Sequence, residues 1–290
     1  MTTDDGTMES RHEAAAPRAE PAPLIYRQNL ATRLTHWLWA ICLFFLLLSG
    51  LQIFNAHPAL YAGDQSGFAF DNALLRIGAQ RTPEGPAGYT ELFGARFDTT
   101  GWLGLSGGEQ RLQARAFPSW ATIPSYQDLA TGRVVHFFFA WLLVFTLAAW
   151  LIASAVTGHL RRDLAPRIAD LRNLPRDVAD HARLRFRHGR DYNTLQKLTY
   201  FAVLFILLPL MIATGLAMSP GFNAAAPWLP EIFGGRQTAR AIHFAVMLLL
   251  VAFFVVHIVM ILAAGPINEL RSIVTGWYRA DAPAGETEER

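Results

Sequence analysis

Cysteine is almost absent from this chain of 290 residues, which contains only Cys42. A single thiol cannot build an intrachain disulfide framework. It also excludes the Cys-x-x-Cys-His attachment of a c-type haem and an iron–sulfur cluster held by cysteines. Any haem in this protein is therefore expected to be held without covalent bonds, by histidine.

Formal charge is missing from four long apolar stretches, at residues 34–54, 134–158, 198–219 and 241–264. Each is long enough to cross a bilayer core of about 30 Å as a helix. Hydrophobic residues make up 52% of the chain and its mean hydropathy is +0.22. The sequence therefore predicts an all-α integral membrane four-helix bundle, with a long extracytoplasmic loop between helices 1 and 2.

The first 24 residues contain neither the apolar core of a cleaved signal nor a twin arginine, so we expect the first span to act as its own insertion signal. Their polar, Ala- and Pro-rich composition predicts disorder. The expected organisation is a disordered tail over 1–24, one membrane domain over 25–278 and a second disordered tail over 279–290.

Positive charge is concentrated between spans two and three, where residues 159–197 carry ten Arg and Lys. Only Arg236 and Arg240 lie between spans three and four. The positive-inside rule places the 159–197 segment in the cytoplasm. We therefore expect a bacterial inner-membrane protein with both termini cytoplasmic, and with the 55–133 and 219–240 segments outside.

Four histidines lie within or at the ends of the spans. His243 and His257 are fourteen residues apart in the fourth span, which places them on one helix face within roughly 40° of each other and about 21 Å apart along the axis. His36 lies at the cytoplasmic end of the first span and His136 at the outer end of the second. Matched by depth, His36 pairs with His257 and His136 pairs with His243. Two facing imidazoles are the axial ligands of a six-coordinate b-type haem iron, so the pattern predicts two haems.

Two other roles are open to such histidines. A single intramembrane histidine can equally form a hydrogen bond to a neighbouring helix. A proton relay is the second alternative, but a relay would normally recruit Asp or Glu, and the four apolar stretches contain neither. Two depth-matched pairs favour haem ligation over both.

Several further residues are expected around the haems. Arg33, Arg133, Lys197 and Arg240 lie near the histidines or at the matching helix ends, where they could pair with haem propionates or extend towards the lipid headgroups. Gly50 lies fourteen residues after His36, where it would either admit a flat macrocycle or serve ordinary helix packing.

The loop over 55–132 is too long for a plain connector. It is expected to form an ordered aromatic cap, either as a docking surface for a soluble partner or as a lid over the outer haem.

The histidine pattern resembles that of the diheme cytochrome b membrane subunits of formate dehydrogenase and nickel–iron hydrogenase, within the bacterial cytochrome b561 group. The sequence is more similar still to the thiosulfate-reductase-type branch. Residues 26–50, 132–158, 192–220 and 234–278 carry this resemblance, including Leu208-Pro209-Leu210-Met211 and Gly265-Pro266-Ile267-Asn268-Glu269. The resemblance implies two haems that pass electrons between the quinone pool and an extracytoplasmic redox subunit.

The resemblance also implies a quinone site beside an Asn-x-x-Gln motif at the start of the third helix, matched here by Asn193 and Gln196. Leu195 replaces the glycine that some members have before the glutamine. Both amide side chains offer hydrogen bonds at the depth of His36 and His257, although Asn193 could instead cap the helix.

The function expected from the sequence is that of an electron-transfer subunit of an oxidoreductase complex in a respiratory chain, with an extracytoplasmic, molybdopterin-dependent partner as one option. A stand-alone transmembrane reductase without a partner is the first alternative. A haem-free transporter or membrane anchor is the second.

Overall fold

A computed structural model describes residues 23–67, 69–107, 112–158, 174–183 and 194–280. Within them, four helices are long and apolar enough to cross a membrane, as predicted. They are α1 (Leu30–Phe54), α2 (Leu129–Val156), the continuous helix Leu195–Met218 and α8 (Arg236–Ala264). Each begins about one turn before its apolar run. At α1 and α2 the start is fixed by a side-chain cap, since Asn29 accepts from the Thr32 amide and Asp128 from the Thr131 amide.

The third spanning helix consists of three parts: α4 (Thr194–Ala202), a π-helical turn over Val203–Leu207, and α5 (Leu208–Met218). Pro209 predicts an irregularity here, because proline has no N–H to donate and its ring collides with the carbonyl four residues earlier. The wider π turn directly before Pro209 accommodates that ring.

The bundle core is small and apolar. Its buried residues are Cys42 of α1, Leu143 and Leu147 of α2, and Leu208 of α5. Large apolar side chains cover the outside, and Phe145, Val156 and Leu262 are each more than 60% exposed. An apolar surface of this extent fits a lipid environment.

The segment between α1 and α2 corrects the all-α prediction, because it forms β structure. We call residues 55–128 the β-cap. Its antiparallel sheet contains β2 (Ala59–Tyr61), β3 (Ala73–Thr82), β4 (Gly85–Leu92) and β5 (Ala95–Asp98) in that order, and β6 (Gly104–Ser106) pairs with β7 (Gln113–Arg115). Thr82 pairs with Gly85, so the two residues Pro83 and Glu84 form the turn of a tight hairpin.

The β-cap is packed onto one end of the bundle. Phe54 at the end of α1, Leu60 of β2 and Ile77 of β3 form a buried cluster that also contacts Phe244 of α8. The Arg115 guanidinium is buried beside it, and donates to the Gln52 side chain at 2.9 Å, to Thr122 Oγ1 at 2.9 Å and to the Ser125 carbonyl at 2.6 Å. These contacts join the β-cap to the end of α1.

The opposite end of the bundle brings the two ends of the described chain together. β1 (Leu24–Tyr26) pairs antiparallel with β8 (Trp277–Arg279), so Leu24 and Arg279 belong to strands although the predicted boundaries assign them to the tails. Gly265, at φ 109°, separates α8 from the amphipathic helix α9 (Pro266–Thr275). The remaining helices of the described chain are α3 (Leu174–Ala182), α6 (Pro220–Ala225), α7 (Trp228–Ile232) and a short 3-10 helix over Ser119–Ala121.

Candidate functional site

The four histidines form the two pairs that the sequence predicts. The ring centroids of His36 on α1 and His257 on α8 are 6.5 Å apart, with 53° between the ring planes. Those of His136 on α2 and His243 on α8 are also 6.5 Å apart, with 59° between the planes. Below, "the His36 pair" means His36 with His257, and "the His136 pair" means His136 with His243.

The ring separation fits one metal atom between the rings of each pair. A metal bonds a histidine nitrogen at about 2 Å and a ring centroid lies roughly 1 Å behind that nitrogen, so two imidazoles on one iron have centroids about 6 to 6.5 Å apart. Within the described residues, no group of three or more His, Cys, Asp or Glu side chains could hold a metal ion. A metal at either pair therefore needs further ligands, and a porphyrin supplies four nitrogens.

All four histidines line a single cavity of about 1460 Å³ that runs through the bundle. This volume exceeds the range of about 300–1,000 Å³ that is typical of a pocket for one drug-sized ligand. Most of its lining is apolar, with Leu43, Leu204 and Met247 among the lining residues. The cavity is suited to more than one flat, largely hydrophobic group, each reaching a histidine pair.

Each histidine of the His136 pair contacts a hydroxyl and a glycine on a neighbouring helix. Ser49 Oγ lies 3.1 Å from His136 Nδ1, and Thr214 Oγ1 lies 3.0 Å from His243 Nδ1. The next residues, Gly50 and Gly215, face the Cε1–Nδ1 edges of the same two rings. Gly50 therefore lies against the His136 ring. Ser49 and Thr214 were not predicted from the sequence, although the hydroxyl–glycine dipeptide recurs in two spans.

The His36 pair has different surroundings. His36 Nδ1 is buried and has no hydrogen-bond partner among the described residues. The His36 ring meets Trp37 edge-on at 5.5 Å, and the His257 ring stacks on Phe253 at 5.6 Å. The two pairs thus share a ring separation and differ in what holds the rings.

Three of the four cations proposed for propionates line the cavity, namely Arg133, Lys197 and Arg240. Arg240 also donates to the His57 carbonyl in the β-cap. Arg33 is not among the lining residues, because its guanidinium turns to α9 and donates to the Val274 carbonyl at 2.9 Å. Arg27 and Arg236 line the cavity instead, which the sequence analysis did not anticipate.

Of the two residues proposed for a quinone site, the structure describes only Gln196. Asn193 lies outside the described residues. Gln196 lies in α4 and is not among the residues that line the cavity. Polar lining near the His36 pair comes from Gln28, at the start of α1, and from Glu269 of α9.

Glu269 belongs to a polar group with Tyr278 and Arg27, of which only Tyr278 is fully buried. Tyr278 is 1% exposed and donates to Glu269 Oε1 at 3.3 Å, while the Arg27 guanidinium lies 4.6 Å from the centre of the Tyr278 ring. Burial, reinforced by the Glu269 charge and opposed by Arg27, raises the pKa of Tyr278 to about 12. Tyr278 therefore keeps its proton at neutral pH.

Comparison with known proteins gives two matches. Residues 170–276 match the family model described as prokaryotic cytochrome b561. A protein of Azospira oryzae, described as "Putative protein-methionine-sulfoxide reductase subunit YedZ1", is 27% identical over 232 residues, which cover 79% of this chain and 86% of that protein. The two matches support a b561-type cytochrome.

The family model covers the third and fourth spans and α9, so it includes His243 and His257. The likeness to the b561 family supports b-type haem and a part in electron transfer, and the four apolar helices indicate a membrane protein. It does not distinguish between the branches of the group.

Proposed function

We propose that this protein is a diheme b-type cytochrome that carries electrons across the bacterial inner membrane, between the quinone pool and an extracytoplasmic oxidoreductase. The observation that supports this most directly is the presence of two facing histidine pairs with the same ring separation along one cavity. A haem held there would supply one-electron chemistry, and two histidines on its iron would leave no coordination position for a substrate.

In this proposal His36 and His257 hold one haem and His136 and His243 hold the other. Of the four cations proposed for propionates, Arg133, Lys197 and Arg240 line the cavity and could reach them, and Arg27 and Arg236 are further candidates. The apolar cavity wall excludes water and lowers the local dielectric, which is one of the ways a protein adjusts a haem potential.

The orientation follows from the arginine-rich segment 159–197, which the positive-inside rule assigns to the cytoplasm. The His36 pair then lies near the cytoplasmic side, and the His136 pair and the β-cap lie on the outer side. Quinone would react at the His36 pair, with Asn193 and Gln196 or the lining residues Gln28 and Glu269 as its hydrogen-bond partners.

The β-cap is the surface that a partner would meet, since it covers the outer end of the bundle and leaves Trp102 and Trp120 about four-fifths exposed (78% and 80%). The Azospira oryzae relative is described as a subunit of a protein-methionine-sulfoxide reductase. We therefore propose a reductase of that class as the partner, with a molybdenum enzyme as the type that the family resemblance favours.

The first test is a dithionite-reduced minus oxidised spectrum of the purified protein, with haem quantified as the pyridine haemochrome. We expect two b-type haems per chain. One haem would mean that one of the histidine pairs is structural. No haem, in protein produced with ample haem supply, would refute the proposal and favour a membrane anchor or transporter.

The second test addresses the partner and the quinone. The protein is produced with and without a co-expressed protein-methionine-sulfoxide reductase. It is then reconstituted into vesicles with a reduced quinone analogue, and haem reduction is followed. Reduction by quinol together with co-purification of the reductase supports the proposal. Haem reduction by quinol with no reductase retained would favour the stand-alone transmembrane reductase.

A further inference from the structure

Ser49 and Thr214 occupy equivalent places around the His136 pair. Both side chains are completely buried, at 0% exposure. Each hydroxyl donates to the carbonyl four residues earlier on its own helix. Ser49 donates to the Phe45 carbonyl at 2.6 Å, and Thr214 donates to the Leu210 carbonyl at 2.7 Å. Each hydroxyl hydrogen is therefore already committed to its own helix.

A hydroxyl whose hydrogen is committed can only accept a hydrogen bond from a histidine ring. His243 Nδ1 lies 3.0 Å from Thr214 Oγ1 and 3.1 Å from the Met211 carbonyl, which also can only accept. Nδ1 of His243 must therefore carry the proton. His136 has the matching arrangement, with Ser49 Oγ at 3.1 Å and a backbone hydrogen bond at Leu46.

The proton on Nδ1 leaves Nε2 of each neutral ring with a free lone pair. In this tautomer Nε2 is the atom that can bind a metal, and the hydrogen bond at Nδ1 fixes the ring orientation and makes Nε2 more basic. A more basic axial ligand stabilises the oxidised form of a haem iron relative to the reduced form.

We propose that Ser49 and Thr214 are positioning residues that, together with the backbone acceptors at Leu46 and Met211, hold the Nδ1–H tautomer of His136 and His243, and that their added hydrogen bonds lower the reduction potential of the haem held by that pair. This inference depends on the proposed haem ligation. It applies to one haem only, because within the described part of the chain His36 Nδ1 has no hydrogen-bond partner.

The experiment is a potentiometric titration of both haems in the full-length protein, with the Thr214→Val and Ser49→Ala variants. Valine keeps the shape of threonine and removes its oxygen. We expect one haem to become easier to reduce by about threefold to tenfold, which is about 30–60 mV for one electron. The other haem keeps its potential. The oxidised protein should also show a changed low-temperature EPR signal for one haem.

Thr146→Val is the matched control. Thr146 Oγ1 donates to the Leu142 carbonyl at 2.7 Å and accepts from Trp39 Nε1 at 3.1 Å, so it makes the same two kinds of contact away from the histidine rings. We expect this variant to leave the potential of the haem at the His136 pair unchanged. Thr214→Ser retains the hydroxyl and should keep the wild-type potential.

The outcomes separate this inference from the proposed function. The inference is overturned if the wild-type protein binds two haems but Thr214→Val and Ser49→Ala change neither reduction potential, or change both equally. The diheme proposal would then remain intact. If Thr214→Val does not retain haem, the Ser49→Ala variant decides. A wild-type protein without haem would overturn both.

Discussion

A methyl group added at Gly50 tests the packing around the His136 pair. A Cβ at this position would lie 3.3 Å from His136 Cε1 and 3.6 Å from Nδ1. The first distance is shorter than an ordinary van der Waals contact, so the ring must move by a few tenths of an ångström. Ser49, the residue before Gly50, contacts Nδ1 of the same ring at 3.1 Å, and this contact restricts the movement of the ring.

The expected cost follows from these contacts. Adding a methyl group to a well-packed site typically costs about 1–3 kcal/mol, and metal–ligand distances tolerate shifts of only about 0.2 Å. The helix propensity gained when alanine replaces glycine, roughly 1 kcal/mol, stabilises the helix with and without haem, so it does not offset a loss in haem binding. We expect Gly50→Ala to weaken haem binding at the His136 pair by about 1–2 kcal/mol, or about 5- to 30-fold.

Gly215→Ala is the matched control, because the same methyl group would lie 3.5 Å from His243 Cε1, an ordinary contact. Both variants gain the same helix propensity, so their difference isolates the contact with the ring. The assay is the loss of haem to an excess of a haem-free globin, followed spectroscopically. Equal retention by Gly50→Ala and the wild type, or greater loss from Gly215→Ala, would refute the reasoning.

Three further predictions follow from the structure. His36→Ala and His257→Ala should each remove the same one of two haems, as measured by pyridine haemochrome and redox titration; two haems retained in both would refute the pairing. Arg115→Met should lower the thermal stability of the β-cap by about 2–4 kcal/mol, because several buried oxygens lose their donor; an unchanged melting temperature would contradict this. Arg96 and then Arg76 hold the pKa of the Glu91 carboxyl below its usual value, so its stabilising effect is present at neutral pH and lost as the pH falls through that lowered pKa. Glu91→Gln should therefore flatten the acid dependence of β-cap melting, and an unchanged dependence would count against this role.

The spans and the histidine pairs were predictable because the bilayer restricts both. A helix must stay apolar for about 20 residues to cross it, and a residue's position in that run gives its depth. His36 and His257 thus share one depth and His136 and His243 the other, without knowledge of which helices touch. The ring separation of 6.5 Å in both pairs agrees with that counting.

The β-cap was not predictable in the same way, because its strands lack a clear alternation of apolar and polar residues. In β3, Leu74 and Leu75 are adjacent and only Ile77 is fully buried. The strands are stabilised by pairing with one another and by contact with Phe54 and Phe244 on two different helices. Such contacts connect distant parts of the chain, and local sequence patterns do not record them.

Ser49, Thr214 and Arg33 illustrate a second limit. A serine or threonine in a spanning helix ordinarily bonds to its own helix four residues back, and Ser49 and Thr214 do so as well. Only the packing of neighbouring helices shows that each oxygen also accepts from a histidine. Arg33 has a long, flexible side chain, and its direction towards Val274 depends on where α9 folds back.

The two ends of the cavity carry different chemistry, which fits different reactions. At the His136 end the β-cap contributes Ala56 and His57 to the lining, and the formally charged side chains nearby, Arg133, Arg236 and Arg240, are cations. At the His36 pair, Glu269 is the one carboxylate among the described lining residues. A quinol must release protons when it gives up electrons, and a carboxylate can accept them. A protein partner that exchanges only electrons needs no such group. The distribution of ionisable side chains therefore supports quinone chemistry at the His36 pair and electron exchange with a partner at the His136 pair.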